Sequence, residues 1–152
     1  MKDFIKNAGV IFWLNAAACL LSFIGMILLA VSNGIRGYAI TGGGTAVALA
    51  VIGFILAAVA TFGTFKFGSQ HFITAIARVV SIVLIAVAFG ILLSDRVGLA
   101  SSLFTWDSHN EVGWNAFNLS IGSAVLMLIS IIVMIVCAFM NNKKKINSAS
   151  MA

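Results

Sequence analysis

Four apolar stretches constrain this chain more than any other feature. They cover approximately residues 8–31, 45–65, 72–94 and 116–140. Each is long enough to supply the roughly 20 helical residues that cross a hydrocarbon core. A membrane span must satisfy its own backbone hydrogen bonds, which leaves helices and barrel strands. Barrel strands are about 10 residues of alternating polarity, whereas these stretches are longer and apolar all round. The expected fold is therefore all-α, an integral membrane antiparallel four-helix bundle forming one transmembrane domain over 1–152.

Composition excludes the soluble alternatives. Apolar residues make up 62% of the chain and charged residues 9%, against about 45–50% and about 25% in ordinary globular domains. Nine Lys/Arg and four Asp/Glu are too few to clothe a soluble fold. A soluble enzyme, a disordered tail and a nucleic-acid-binding module are excluded on this ground, and the lipid bilayer is the first partner. The net charge of +5 is no nucleic-acid signal, because the basic residues sit at the ends of the apolar stretches, where cations anchor membrane segments. Cys19 and Cys137 both fall within apolar stretches, so the connections hold no disulfide scaffold. The sequence contains no proline, so no span owes a kink to one. Lys2 and Lys6 precede the first stretch as they would in a leader, but the stretch is longer than the 7–15 apolar residues typical of one. It is read as a membrane helix.

The connections are unequal. The first, 32–44, is glycine-rich, with Arg36, Tyr38 and Gly42-Gly43-Gly44. The second, 66–71, is short, which makes its helices antiparallel neighbours. The third, 95–115, is the longest and most polar. A tail over 141–152 carries Lys143-Lys144-Lys145. With both termini inside, the inner side holds Lys2, Lys6, Lys66, Arg78 and the three tail lysines. The outer side then holds only Arg36 and Arg96. Cytoplasmic loops carry the Lys/Arg excess, which predicts both termini in the cytoplasm.

Small residues recur at helical spacing. Ala46, Ala50, Gly53, Ala57 and Ala60 fall on one stripe of the second helix. Ala18, Ser22, Gly25 and Ser32 repeat the pattern in the first, Thr74, Ala77, Ser81 and Ala88 in the third, and Ala116, Ser120, Ser123, Ser130 and Cys137 in the fourth. Small faces let membrane helices approach closely. These stripes serve either the chain's own bundle or an interface with a second protein. Trp13 near the inner end and Trp106 and Trp114 in the third connection occupy the positions of interfacial anchors.

Ionisable groups at membrane depth mark ion and proton paths, and they are scarce here. Arg78 is the deepest, and its long stem is expected to reach back to the inner headgroups. Asn15 is expected to bond across helices or to sit at the membrane interface rather than to hold a ligand. His71 and His109 fall on opposite sides, which excludes a bis-histidine haem site and leaves no histidine at depth for an intramembrane hydrolase. Gly42-Gly43-Gly44 lacks the Lys and Ser/Thr of a phosphate-binding loop. No catalytic residue, metal ligand set or cofactor is assigned. The remaining candidate binding cluster lies in the outer connection: Asp95, Arg96, Trp106, Asp107, His109, Asn110, Glu111 and Trp114. Carboxylates with an imidazole can hold a metal, and paired indoles can stack on a cation or sugar. The spacing of Asp107, His109 and Glu111 matches no strong metal signature. A solvated loop with interfacial tryptophans is the plainer reading.

Asp95-Arg96-Val97 after a long helix, Ala116-Phe117-Asn118-Leu119-Ser120-Ile121 opening the last helix, Ala138-Phe139-Met140 closing it, and Phe12-Trp13 after a basic start form a layout. This layout resembles a group of small four-helix membrane proteins of Gram-positive bacteria. The chain differs from that group at Trp106 to Glu111, which replaces a more apolar, proline-containing stretch. The resemblance implies a tetraspan protein of the bacterial cytoplasmic membrane and brings no activity with it.

Two functional readings follow. In the first, the chain is a non-enzymatic accessory or assembly protein that packs through its small-residue faces against a membrane partner. In the second, it is a homo-oligomeric channel or small transporter in which Ser22, Ser81, Ser120, Ser123 and Ser130 line a polar path.

Overall fold

The computed structural model describes residues 10–67, 72–106 and 109–140, with the side chains of 64–67 outside that description. The described residues form four helices: α1 (Val10–Asn33), α2 (Gly43–Phe67), α3 (Phe72–Thr105) and α4 (Glu111–Phe139). All four are long and apolar enough to cross a membrane.

Two helix pairs make up the bundle. α1 packs along α4 and α2 along α3, while the α3–α4 and α1–α2 contacts that close the ring are less extensive. Sequence neighbours run antiparallel. The end that carries connections 34–42 and 106–110 is the loop end, and the opposite end holds the start of α1 and the finish of α4.

Both principal seams follow a seven-residue step. On α1 the step runs through Ala18, Gly25 and Ser32, and on α4 through Ser130, Ser123 and Ala116. At each level a hydroxyl meets a backbone carbonyl that a small residue leaves open. Ser130 Oγ donates to Ala18 O at 2.8 Å, Ser123 Oγ to Gly25 O at 2.7 Å, and Ser32 Oγ lies 3.2 Å from Ala116 O. The α2–α3 seam uses the same chemistry, with Ser81 Oγ donating to Gly53 O at 2.7 Å. Such bonds contribute about 0.6 kcal/mol each within membranes. Ser130→Ala and Ser123→Ala are each expected to lower stability by about that amount. A denaturation titration in mixed micelles measures it, and a loss several times larger would show that the seam carries more than these bonds.

The small-residue stripe of α2 lies inside this chain's own bundle. Ala46, Ala50, Ala57 and Ala60 are each at most 3% exposed, and Gly53 is buried. A Cβ at Gly53 would stand 2.8 Å from Ile85 Cγ1. Of the two roles the sequence left open for this stripe, the structure shows these five residues covered by the chain's own packing.

The helix ends also correct the sequence reading. α3 does not stop at residue 94 but continues to Thr105, and α4 begins at Glu111 rather than 116. The expected connection of 95–115 shrinks to 106–110. Charge at Asp95-Arg96 suggested a loop, yet Arg96 turns into the bundle, and no proline interrupts the helix. Asn110 caps α4, its side chain accepting from Gly113 N at 2.9 Å, with Glu111 complementing the helix dipole in the first turn. At the other connection α1 runs on to Asn33. α2 starts at Gly43, just after Gly42 at φ +75°, a backbone conformation that favours glycine. Gly43 lies so close to the Asn33 amide that a Cβ there would collide with it.

Arg78 is another correction. Rather than snorkelling along the bundle surface, it lies on the interior face of α3 and is 6% exposed.

Candidate functional site

The interior face of α3 carries its small and apolar residues through Ser81, Ile85, Ala88 and Leu92, and the next position on that stripe is Arg96. The helix thus delivers a guanidinium into the bundle at its loop end. Arg96 is 4% exposed. A buried cation is costly unless hydrogen bonds and charge compensate it, and the surroundings supply both.

Arg96 Nε donates to Ser120 Oγ on α4 at 2.8 Å. Arg96 Nη2 donates to Ser32 Oγ on α1 at 3.1 Å and to the carbonyl of Tyr38 in the first connection at 2.9 Å. Ser32 and Ser120 face each other with 2.6 Å between oxygens, and Ser120 Oγ reaches Ala116 O at 2.7 Å. One proton order satisfies these contacts. Arg96 donates to both hydroxyls, Ser32 donates to Ser120, and Ser120 donates to the Ala116 carbonyl. Each hydroxyl then both gives and receives, and the bonds polarise one another in a low-dielectric interior.

The neighbouring carboxylate adds charge and a strap. Asp95 Oδ2 lies 3.5 Å from Arg96 Nη1, and Asp95 Oδ1 accepts from Thr41 N at 2.9 Å. Asn33 Oδ1 accepts from Ile40 N at 3.0 Å, which sinks Ile40 into the core. Asn110 Nδ2 donates to the Tyr38 hydroxyl. Connection 34–42 is thereby bound to Asn33 at the end of α1, to Asp95 and Arg96 within α3 and to the Asn110 cap of α4.

The other members of the expected outer cluster do not converge on Arg96. Trp106 is 91% exposed, and His109 and Glu111 are exposed. Trp114 is half-buried in an edge-to-face group with Phe104, at 5.1 Å, and Phe117, at 5.9 Å. Asp107 lies outside the described residues. Among the described residues no three His, Cys, Asp or Glu side chains stand close enough to share a metal ion.

What the sequence reading missed are Tyr38 and Thr41 and the pairing of Ser32 with Arg96; Asn110 stood in the expected outer cluster. Ser32 and Ser120 were visible as stripe members, and the stripe of α3 points at Arg96. Tyr38 contributes through its carbonyl and Thr41 through its amide, which no residue type announces. The arrangement serves cohesion: it holds a cation with neutral acceptors and one carboxylate, and it contains no nucleophile paired with a base. No family model, curated protein or solved structure matches the chain, and the chemistry of the cluster rests on its own geometry.

Proposed function

We propose that this chain is a multi-pass protein of the bacterial cytoplasmic membrane, with both termini in the cytoplasm, that acts as a non-enzymatic accessory or assembly protein. The distribution of Lys and Arg supports the orientation, which places the loop end outside. One observation carries the functional reading: the hydroxyls of the bundle are engaged in holding it together. Ser81, Ser123 and Ser130 bond to carbonyls of neighbouring helices. Ser32 and Ser120 bond to Arg96, and Ser22 bonds to its own helix at Cys19 O.

A serine-lined path needs those hydroxyls free to solvate what passes. Their engagement weighs against the channel reading and leaves the outer surface as the place where this protein meets others. The loop-end tip of the α3–α4 hairpin suits that role. α3 has 34 residues, a length of about 51 Å at 1.5 Å per residue, against a hydrocarbon core of about 30 Å. Its last turns stand beyond the α2 start, with Phe104 69% and Trp106 91% exposed. Aromatic side chains are enriched at protein interfaces.

The test places a photo-reactive phenylalanine analogue at position 106 and irradiates cells of the native host. The expected product is one discrete adduct with a second membrane protein, absent when the analogue replaces lipid-facing Ile55. An adduct at twice the monomer mass, or adducts to lipid alone, would overturn the reading.

A further inference from the structure

Connection 34–42 is built from two hydrogen-bonded turns with an extended segment between them. Tyr38 N donates to Ile35 O at 3.1 Å, and Gly43 N donates to Ile40 O at 2.7 Å. Each turn places a glycine third, Gly37 at φ +82° and Gly42 at φ +75°. A positive φ there favours glycine, which also leaves that conformation at little steric cost. Residues 38–41 are thus bracketed by two joints that rotate readily.

The groups that hold this segment down come from three helices. Arg96 Nη2 donates to the Tyr38 carbonyl at 2.9 Å, and Asn110 Nδ2 donates to the Tyr38 hydroxyl. Ile40 N donates to Asn33 Oδ1 at 3.0 Å, and Thr41 N to Asp95 Oδ1 at 2.9 Å. The Ile40 side chain is 4% exposed and joins Leu29, Ala46 and Leu92 in the core. On either side of it Ala39 and Thr41 are exposed, and so is the bond from Thr41 to Asp95. A segment anchored by one buried apolar side chain and by hydrogen bonds near the surface opens more readily than the helices beneath it.

We propose that residues 38–41 are a hinged strap over the Arg96 cluster, which opens as one unit by rotation at Gly37 and Gly42 while the four helices stay packed. Hinges of this kind are a few loop residues that absorb the change in φ and ψ. Closing seats Ile40 in the core and gives Arg96 Nη2 the Tyr38 carbonyl as acceptor. Opening withdraws Ile40, breaks the four bonds together and admits water to the network of Arg96, Ser32 and Ser120. The motion requires no partner, so it holds whichever protein the chain meets.

Amide hydrogen exchange of the full chain in lipid nanodiscs, followed by NMR, tests the strap. The Ile40 and Thr41 amides have acceptors on different helices, so a unit motion is what gives them one common protection factor. The expected result in the unmodified protein is equal protection at both, well below that of the Met127 amide within α4. Asn33→Ala removes the acceptor of Ile40 alone, yet it is expected to speed exchange at Thr41 by about fivefold, the weight of one hydrogen bond. Ile40→Ala removes no hydrogen bond and is expected to speed Thr41 by about thirtyfold or more, the weight of a buried isoleucine side chain. Unequal protection at the two amides would overturn the proposal, and so would protection at both as high as at Met127. An unchanged Thr41 rate in either variant would overturn it as well, because the two amides would then open separately.

Discussion

Arg96→Met is expected to destabilise the bundle by about 2–4 kcal/mol, because it leaves buried acceptors without their donor. Methionine keeps much of the apolar stem of the arginine, so the loss isolates the guanidinium rather than a cavity. The Tyr38 carbonyl loses the Nη2 donor held at 2.9 Å. Ser32 and Ser120 keep each other at 2.6 Å and lose the charge-assisted bonds that close the network. Asp95 retains Thr41 N without its cation 3.5 Å away. Arg96→Lys is expected to recover less than half of the loss, since one ammonium cannot span Ser120, Ser32 and the Tyr38 carbonyl together. Reversible unfolding in mixed micelles measures both variants. A loss below about 0.5 kcal/mol for Arg96→Met, the range of ordinary surface substitutions, would mean that the cluster is incidental.

Gly53→Leu is expected to cost about 3 kcal/mol or more, through overpacking of the α2–α3 seam. A single Cβ at that position already stands 2.8 Å from Ile85 Cγ1 and 3.3 Å from Leu84 Cβ. The three further carbons of leucine have to force the helices apart, which also separates Ser81 Oγ from Gly53 O. Gly90→Leu is the matched control. Gly90 is exposed on α3 with no atom within 4 Å of its added Cβ, so the same substitution is expected to change stability by less than about 0.5 kcal/mol. Melting of the purified proteins in one detergent gives both values. Equal effects at the two glycines would show that the seam is not where the helices touch.

Most of the architecture was legible in the sequence, because the period that packs these helices is written in small residues. Ala18, Ser22, Gly25 and Ser32 on α1, and Ala116, Ser120, Ser123, Ser130 and Cys137 on α4, are all buried. They mark the interior faces that the sequence stripes picked out. Whether those faces met their own chain or another was not legible, since a small residue carries no record of its partner. The register of Ser130 on Ala18 and Ser123 on Gly25 supplies that information.

The third connection was misread for a physical reason. Asp95, Arg96 and the serines near 101 look solvated, and polarity at the end of an apolar stretch usually signals exit from the membrane. Here Arg96 keeps the helical phase of Ser81, Ile85, Ala88 and Leu92, and Leu103, seven residues on, is 0% exposed. Phase, rather than polarity, was the signal that α3 continued. The backbone acceptors and donors of 34–42 were beyond any reading by residue type, because Tyr38 and Thr41 contribute main-chain atoms.

The central claim is that the polar interior serves cohesion and that the function lies in a partner at the surface. Gentle extraction of the tagged protein from its native host into polymer-bounded native nanodiscs, followed by native mass spectrometry, tests it most directly. A stoichiometric second membrane protein accompanying one copy of this 16.0 kDa chain is the result the account predicts. A discrete homo-oligomer with no second protein would contradict it.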